Sequence, residues 1–207
     1  MRTNTLGGAL ATALITVATL GGCAATGDAP ASPAAPPAPA ASAGQAHNQA
    51  DISFAQGMIP HHAQAVDMAK LAPTRAGSPR VKELAAAIQG AQQPEIDQMT
   101  GFLRDWQAPV PETGDQAMGG MQHSGHEMRG AGRGMMTAEQ MSELERSSGP
   151  AFDRLFPRMM VDHHRGAVTM ANAELAEGQN PEAKQLARRI VDAQQREIDE
   201  MTALLGG

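Results

Sequence analysis

The chain has 207 residues and a formal charge of −6, with no clustered run of Lys and Arg. That is room for one modest domain with short appendages, and it argues against a nucleic-acid surface, which needs a basic patch to meet phosphate. Tyr is absent, Trp occurs once and Phe four times, so a core must be packed from Ala, Leu, Ile, Val and Met, which suit helices better than sheets.

Residues 1–22 read as an export signal: Arg2 precedes a small and apolar run from Leu6 to Leu20 that ends in Leu20-Gly21-Gly22-Cys23. That ending resembles a bacterial lipobox, and Cys23 is the only cysteine. The run is short for a membrane span and is expected to be removed on processing. The alternative is an ordinary signal peptide that happens to contain a cysteine. Lipidation of Cys23 predicts a lipoprotein held on the extracytoplasmic face of the cell membrane. It also leaves no thiol for a disulfide or a thiolate metal site. Residues 23–50 follow as an Ala/Pro-rich linker carrying Pro33, Pro36, Pro37 and Pro39, an extended spacer that cannot bury a core. His47, at its end, reads as a solvated linker residue.

Residues 51–105 and 153–207 align without a gap at an offset of 102, with 23 of 55 positions identical. The domain is a tandem duplication. Each copy predicts two helices. The first spans roughly 51–71 in one copy and 153–177 in the other, with an interior proline, Pro60 or Pro157, that allows a kink. The second starts after Ser78-Pro79 or Asn180-Pro181, where a capping side chain precedes a proline at the first helical position. Leu84, Ile88, Ala91, Gln92, Ile96, Met99 and Leu103 continue it at helical spacing, as do Leu186, Ile190, Ala193, Ile198, Met201 and Leu205. Between the copies, residues 106–136 form a Met/His/Gly-rich loop. Thr137-Ala138-Glu139-Gln140 then reads as a capping box opening a short helix to about Arg146, with a turn to 149. Residues 150–207 carry the second hairpin. Four amphipathic helices predict an all-α, ferritin-like four-helix bundle made of two duplicated hairpins.

Successive helical residues advance by about 100 degrees, which places Met58, His61, His62, Ala65 and Met68 within about a half-circle. The same holds for Met160, His163, His164 and Met170. On the second helices Glu95 neighbours Met99, and Glu197 neighbours Met201, one turn apart. A bundle can therefore bring thioether, imidazole and carboxylate groups to one interior locus. Met99 and Met201 alone would more simply be core filler. Two adjacent His pairs are harder to explain by packing, because burying imidazoles without partners costs several kcal/mol, and metal ligation supplies a partner. Met118, Met121, His123, His126, Met128, Met135 and Met136 crowd the central loop. Closely spaced thioethers and imidazoles there could wrap a soft ion, the alternative being a low-complexity loop. Thioethers select Cu(I) or Ag(I) over hard cations, and zinc would be expected to recruit Cys or carboxylate.

With these residues in place, the chain resembles the domain of unknown function 305 family, which includes CopM-like periplasmic copper-binding proteins. The resemblance rests on Met58-Ile59-Pro60-His61-His62 with Ala65, Met68 and Ala69, and on Met159-Met160-Val161-Asp162-His163-His164. It extends to the Gln-Gln-x-Glu-Ile-x-x-Met segments at 92–99 and 194–201. It implies a ferritin-like bundle, export, and copper binding in metal handling or resistance. It also implies Met58, His61, His62, Met68, Met160, His163, His164 and Met170 as ligands.

The expected function is a non-enzymatic protein that sequesters or transfers copper, chiefly Cu(I) and also Ag(I) or Cu(II), in metal homeostasis or resistance, since no nucleophile with a plausible base is evident. Its expected partners are the metal ion, the membrane through Cys23, and a copper transporter or other metal-handling protein. Two alternatives differ in class. A ferritin-like di-iron oxidase needs Glu-x-x-His pairs, yet the residues three before the four histidines are Met58, Ile59, Met160 and Val161. A helical interaction module would use Met and His only for packing. Asp97 and Asp199 fall on solvated faces.

Overall fold

The computed structural model describes residues 46–113 and 134–206. Cys23, Met118, Met121, His123, His126 and Met128 lie outside the described residues. Six helices are described: α1 (Gln49–Lys70), α2 (Ala72–Arg75), α3 (Pro79–Asp105), α4 (Ala138–Arg146), α5 (Pro150–Glu177) and α6 (Pro181–Gly206). The architecture is the all-α bundle that the duplication predicts. α1 pairs with α3 and α5 with α6, and the two hairpins meet mainly through α1 and α5.

The helices start where backbone N–H groups find acceptors. Asn48 caps α1 in a capping box with Asp51, and Thr137 caps α4 in the box with Gln140 read from the sequence. Asn180 caps α6 as expected, its Oδ1 accepting from the N–H of Glu182 at 3.0 Å and Ala183 at 2.9 Å. Ser78 does not behave as expected, since its side chain makes no cap bond. Instead Asp153 of the other hairpin accepts from the N–H of Gly77 at 3.0 Å and Ser78 at 2.9 Å. Its repeat mate Asp51 accepts from the N–H of Gln179 at 3.1 Å and Asn180 at 2.8 Å. Each hairpin thus anchors the turn of the other, and a charged acceptor makes these bonds stronger than neutral ones.

The interior prolines Pro60, Pro94 and Pro157 lie within helices that continue past them. The copies diverge at Pro73, whose repeat mate is Leu175. The first copy breaks at Leu71 and restarts as α2 with proline in its first turn, whereas α5 runs unbroken to Glu177. A proline cannot donate to the preceding turn.

His47 is not a solvated linker residue: its ring stacks on Trp106, with centroids 5.0 Å apart, and Trp106 stacks in turn on Phe102. Ala91, predicted on the apolar stripe, is exposed, and Asp97 and Asp199 are exposed as expected. The chain returns from the central loop through Gly134, at φ +83°, where a Cβ would lie 2.7 Å from the Asp162 carbonyl oxygen. Met136 is then held at both backbone groups by buried Gln64, its N–H donating at 2.7 Å and its carbonyl accepting at 2.9 Å. Gly134→Ala should therefore destabilise the fold by more than about 1 kcal/mol, read as a lowered denaturant midpoint at unchanged m-value.

The apolar core falls into two clusters. One contains Phe54, Met58, Ile59, Met99, Leu103, Met170, Leu186 and Ile190. The other contains Met68, Leu84, Ile88, Phe152, Phe156, Met160 and Met201. Along each of the four long helices, the residues of one cluster give way to the other across a polar stretch.

Candidate metal centre

That polar stretch is the centre of interest. On α1 it holds His61 and His62, on α5 His163 and His164, on α3 Gln92 and Glu95, and on α6 Gln194 and Glu197. All four histidines are buried to within 1% of complete. His61 and His163 come from different copies, yet their ring centroids are 3.8 Å apart at an interplanar angle of 43°. The duplication therefore places its two equivalent imidazoles in tilted contact at the junction of the hairpins.

The second histidine of each pair points to a carboxylate on its own hairpin. His62 Nε2 lies 2.7 Å from Glu95 Oε2, and His164 Nε2 lies 2.6 Å from Glu197 Oε2. An ionised carboxylate only accepts, so a neutral imidazole in either dyad would carry its proton on Nε2 and leave Nδ1 as the lone-pair nitrogen. Both Nδ1 atoms are buried without a hydrogen-bond partner. A histidine fixed through one nitrogen by a carboxylate and free at the other is the usual arrangement of a metal-binding imidazole. Glu95 and Glu197 retain partial exposure, 19% each, so they hold the rings from the outer side.

His163 is driven well below the usual histidine range by burial and then by the neighbouring His61, His164 and His62; the His61 backbone works weakly the other way. A neutral imidazole at neutral pH is the ligand-competent form. Neither of its ring nitrogens has a partner in hydrogen-bonding geometry.

Gln92 and Gln194 are site residues not foreseen as such: Gln92 stands in the helical-spacing series, and both stand in the Gln-Gln-x-Glu segments. They are 2% and 3% exposed, and Gln92 Oε1 and Nε2 and Gln194 Oε1 lack partners. A buried carboxamide with orphaned atoms is costly, and finding it at equivalent positions of both copies marks the stretch as polar by construction. The available signal was their place one turn before Glu95 and Glu197 in identical Gln-Gln-x-Glu segments.

The methionines do not converge on one point but divide into two sets. Met58 and Met99 share a cluster with Met170 of the other copy, and Met160 and Met201 share one with Met68. The pairing follows the antiparallel run of α1 and α5: residues before the histidines on one helix face residues after them on the other. Met58 and Met160 sit one turn from His61 and His163, on the same face. Among the described residues no group of three or more His, Cys, Asp or Glu is gathered closely enough to hold an ion by itself. A site here must draw on thioethers or carboxamides as well as imidazoles.

Residues 51–205 match the family described as domain of unknown function (DUF305). The chain belongs to that family. A DUF305 protein from Streptomyces coelicolor is 32% identical, with a TM-score of 0.65 over 76% of this chain and 92% of its own. CopM in its Cu(II)-bound form is 36% identical, with a TM-score of 0.61 over 75% of this chain and 95% of its own. CopM has also been solved bound to Cu(I) and to Ag, at TM-scores of 0.58 and 0.57. The uncharacterized protein L153 of Acanthamoeba polyphaga mimivirus is 43% identical over 53 residues, and this match spans 26% of the chain and 35% of that protein. The ferritin-like helical bundle thus accompanies copper and silver binding in at least one relative.

Proposed function

We propose that this protein is a copper-binding protein rather than an enzyme, taking up Cu(I), with Ag(I) and Cu(II) as further cargo, and sequestering it or passing it on. The observation that carries this reading is the contact of His61 with His163 across the duplication, flanked by His62 and His164, whose Nδ1 atoms are buried without a hydrogen-bond partner. Imidazole nitrogen suits either copper oxidation state, and the thioethers of Met58, Met99 and Met170 and of Met68, Met160 and Met201 favour Cu(I) and Ag(I). Glu95 and Glu197 orient the rings from outside, and the buried Gln92 and Gln194 add oxygen donors that suit Cu(II). The metal-bound forms of CopM support the same cargo.

The proposal extends to location. Cys23 would carry a lipid that tethers the domain outside the cytoplasm, in keeping with a relative named provisionally as secreted. Among the described residues no helix is long and apolar enough to cross a membrane. A tethered domain of this kind would exchange its ion with a copper transporter or another metal-handling protein, and Met118, Met121, His123, His126 and Met128 would offer a second, weaker capture site.

Thermal melting with one equivalent of Ag(I) or Cu(I) tests the reading. A ligand that binds only the folded chain stabilises it by about 2.7 kcal/mol at 100 times its Kd, so the melting temperature should rise by several degrees. An unchanged melting temperature with either ion would leave the bundle as an interaction module.

A further inference from the structure

One buried acid takes no part in the metal centre. Glu174, near the end of α5, is 1% exposed, and neither carboxyl oxygen meets a hydrogen-bond donor among the described residues. Its repeat mate in the first copy is Ala72, so the duplicated fold does not require an acid at this position. The carboxyl lies within hydrogen-bond reach of Asp51, itself fully buried at the start of α1. It also lies against Gly178, where any Cβ would collide with it. Lack of a side chain at the end of α5 is what gives the acid room.

Asp51 already has three backbone donors. It accepts from the N–H of Asn48 at 2.6 Å, Gln179 at 3.1 Å and Asn180 at 2.8 Å. Those bonds, winning over burial, hold its carboxyl below the usual range. Backbone N–H groups aimed at Asp51 also make the pair unsuited to a metal cation. Two ionised carboxylates in this contact would repel, and one proton converts the repulsion into a hydrogen bond.

We propose that Glu174 carries a proton and donates it to Asp51, forming a latch that fastens the α5–α6 turn to the start of α1, and that loss of this proton unfastens it. Asp51 is the facing acid on α1. Lys184 of α6, whose Nζ donates to the Gly178 carbonyl at 3.0 Å, is the facing cation and works toward ionisation. Burial first, then the bond to and charge of Asp51, outweigh it and raise the Glu174 carboxyl to about 8. A carboxyl whose folded pKa lies above its unfolded value stabilises the fold less as pH rises, the loss running from about 4.5 through about 8. The latch is therefore closed in acid and released on the alkaline side. At the other end of the bundle, where Asp153 meets Gly77 and Ser78, the position equivalent to Glu174 is Ala72. The inference is independent of the metal-binding reading.

Glu174→Gln isolates the effect, because a carboxamide can donate to Asp51 at every pH. Melting temperatures of the metal-free protein and of E174Q should diverge as pH rises from 5 to 9, the variant becoming relatively more stable and the difference levelling off above 8. Hydrogen-exchange protection of the Gln179 and Asn180 amides, corrected for intrinsic rates, should fall over the same range in the parent chain alone. A difference that stays constant with pH would overturn the proposal. Should the variant fail to fold, the Glu174 carboxyl carbon resonance of the parent chain decides: a midpoint near 8 supports the latch, and one near 4.5 overturns it.

Discussion

Replacing His61, His62, His163 and His164 together by alanine should lower Cu(I) affinity by more than about 100-fold, measured by titration against a competing chelator. The reasoning is comparative. Removing a carboxylate that only orients a metal-bound histidine costs about 10–100-fold, so Glu95→Gln or Glu197→Gln alone should fall in that range while leaving the rings in place. Removing the rings takes away the nitrogen donors themselves, and the thioethers that remain are split between two clusters. The loss should be larger for Cu(II), which binds thioether poorly. The four-alanine chain should remain folded, since the two apolar clusters on either side of the histidines are left intact. Folding is checked by circular dichroism. Affinity equal to that of the parent chain would move the site away from the bundle's midsection.

Phe156→Ala should be the most damaging single change to the fold. Phe156 is fully buried and stacks on Phe152 with ring centroids 5.5 Å apart. In a chain with four phenylalanines and no tyrosine, few side chains could move into the space. Truncating a buried Phe costs about 3–5 kcal/mol through lost transfer energy and the cavity left behind. For a domain of this size each kcal/mol shifts the melting temperature by about 2–4 °C, so a fall of about 10 °C is expected by calorimetry. The equivalent change at Phe54, which keeps 5% exposure, should cost less because water can reach part of the gap.

Much of the site was legible before the fold was known. The His pairs stand out because adjacent polar side chains at the same position of two copies defy a packing explanation, and helical periodicity put them on the inward face. The methionine sets were legible as residues but not as partners. Met170 belongs with Met58 and Met99 rather than with Met160, because the hairpins cross antiparallel, and sequence spacing carries no information on which half meets which. The same limit hid the buried role of Gln92 and Gln194, since a glutamine at helical spacing reads equally well as the edge of a solvated face.

The sequence by itself determined the doubling, the helical hairpins and the inventory of soft donors, because these are local properties: residue identity, period and capping pattern act within a few turns of chain. Tertiary structure alone decided the pairing of His61 with His163, the exchange of Asp51 and Asp153 between hairpins in place of a Ser78 cap, and the contact of Glu174 with Asp51. Each joins residues about 75 to 130 positions apart, and the geometry that unites them comes from the way two amphipathic surfaces bury each other.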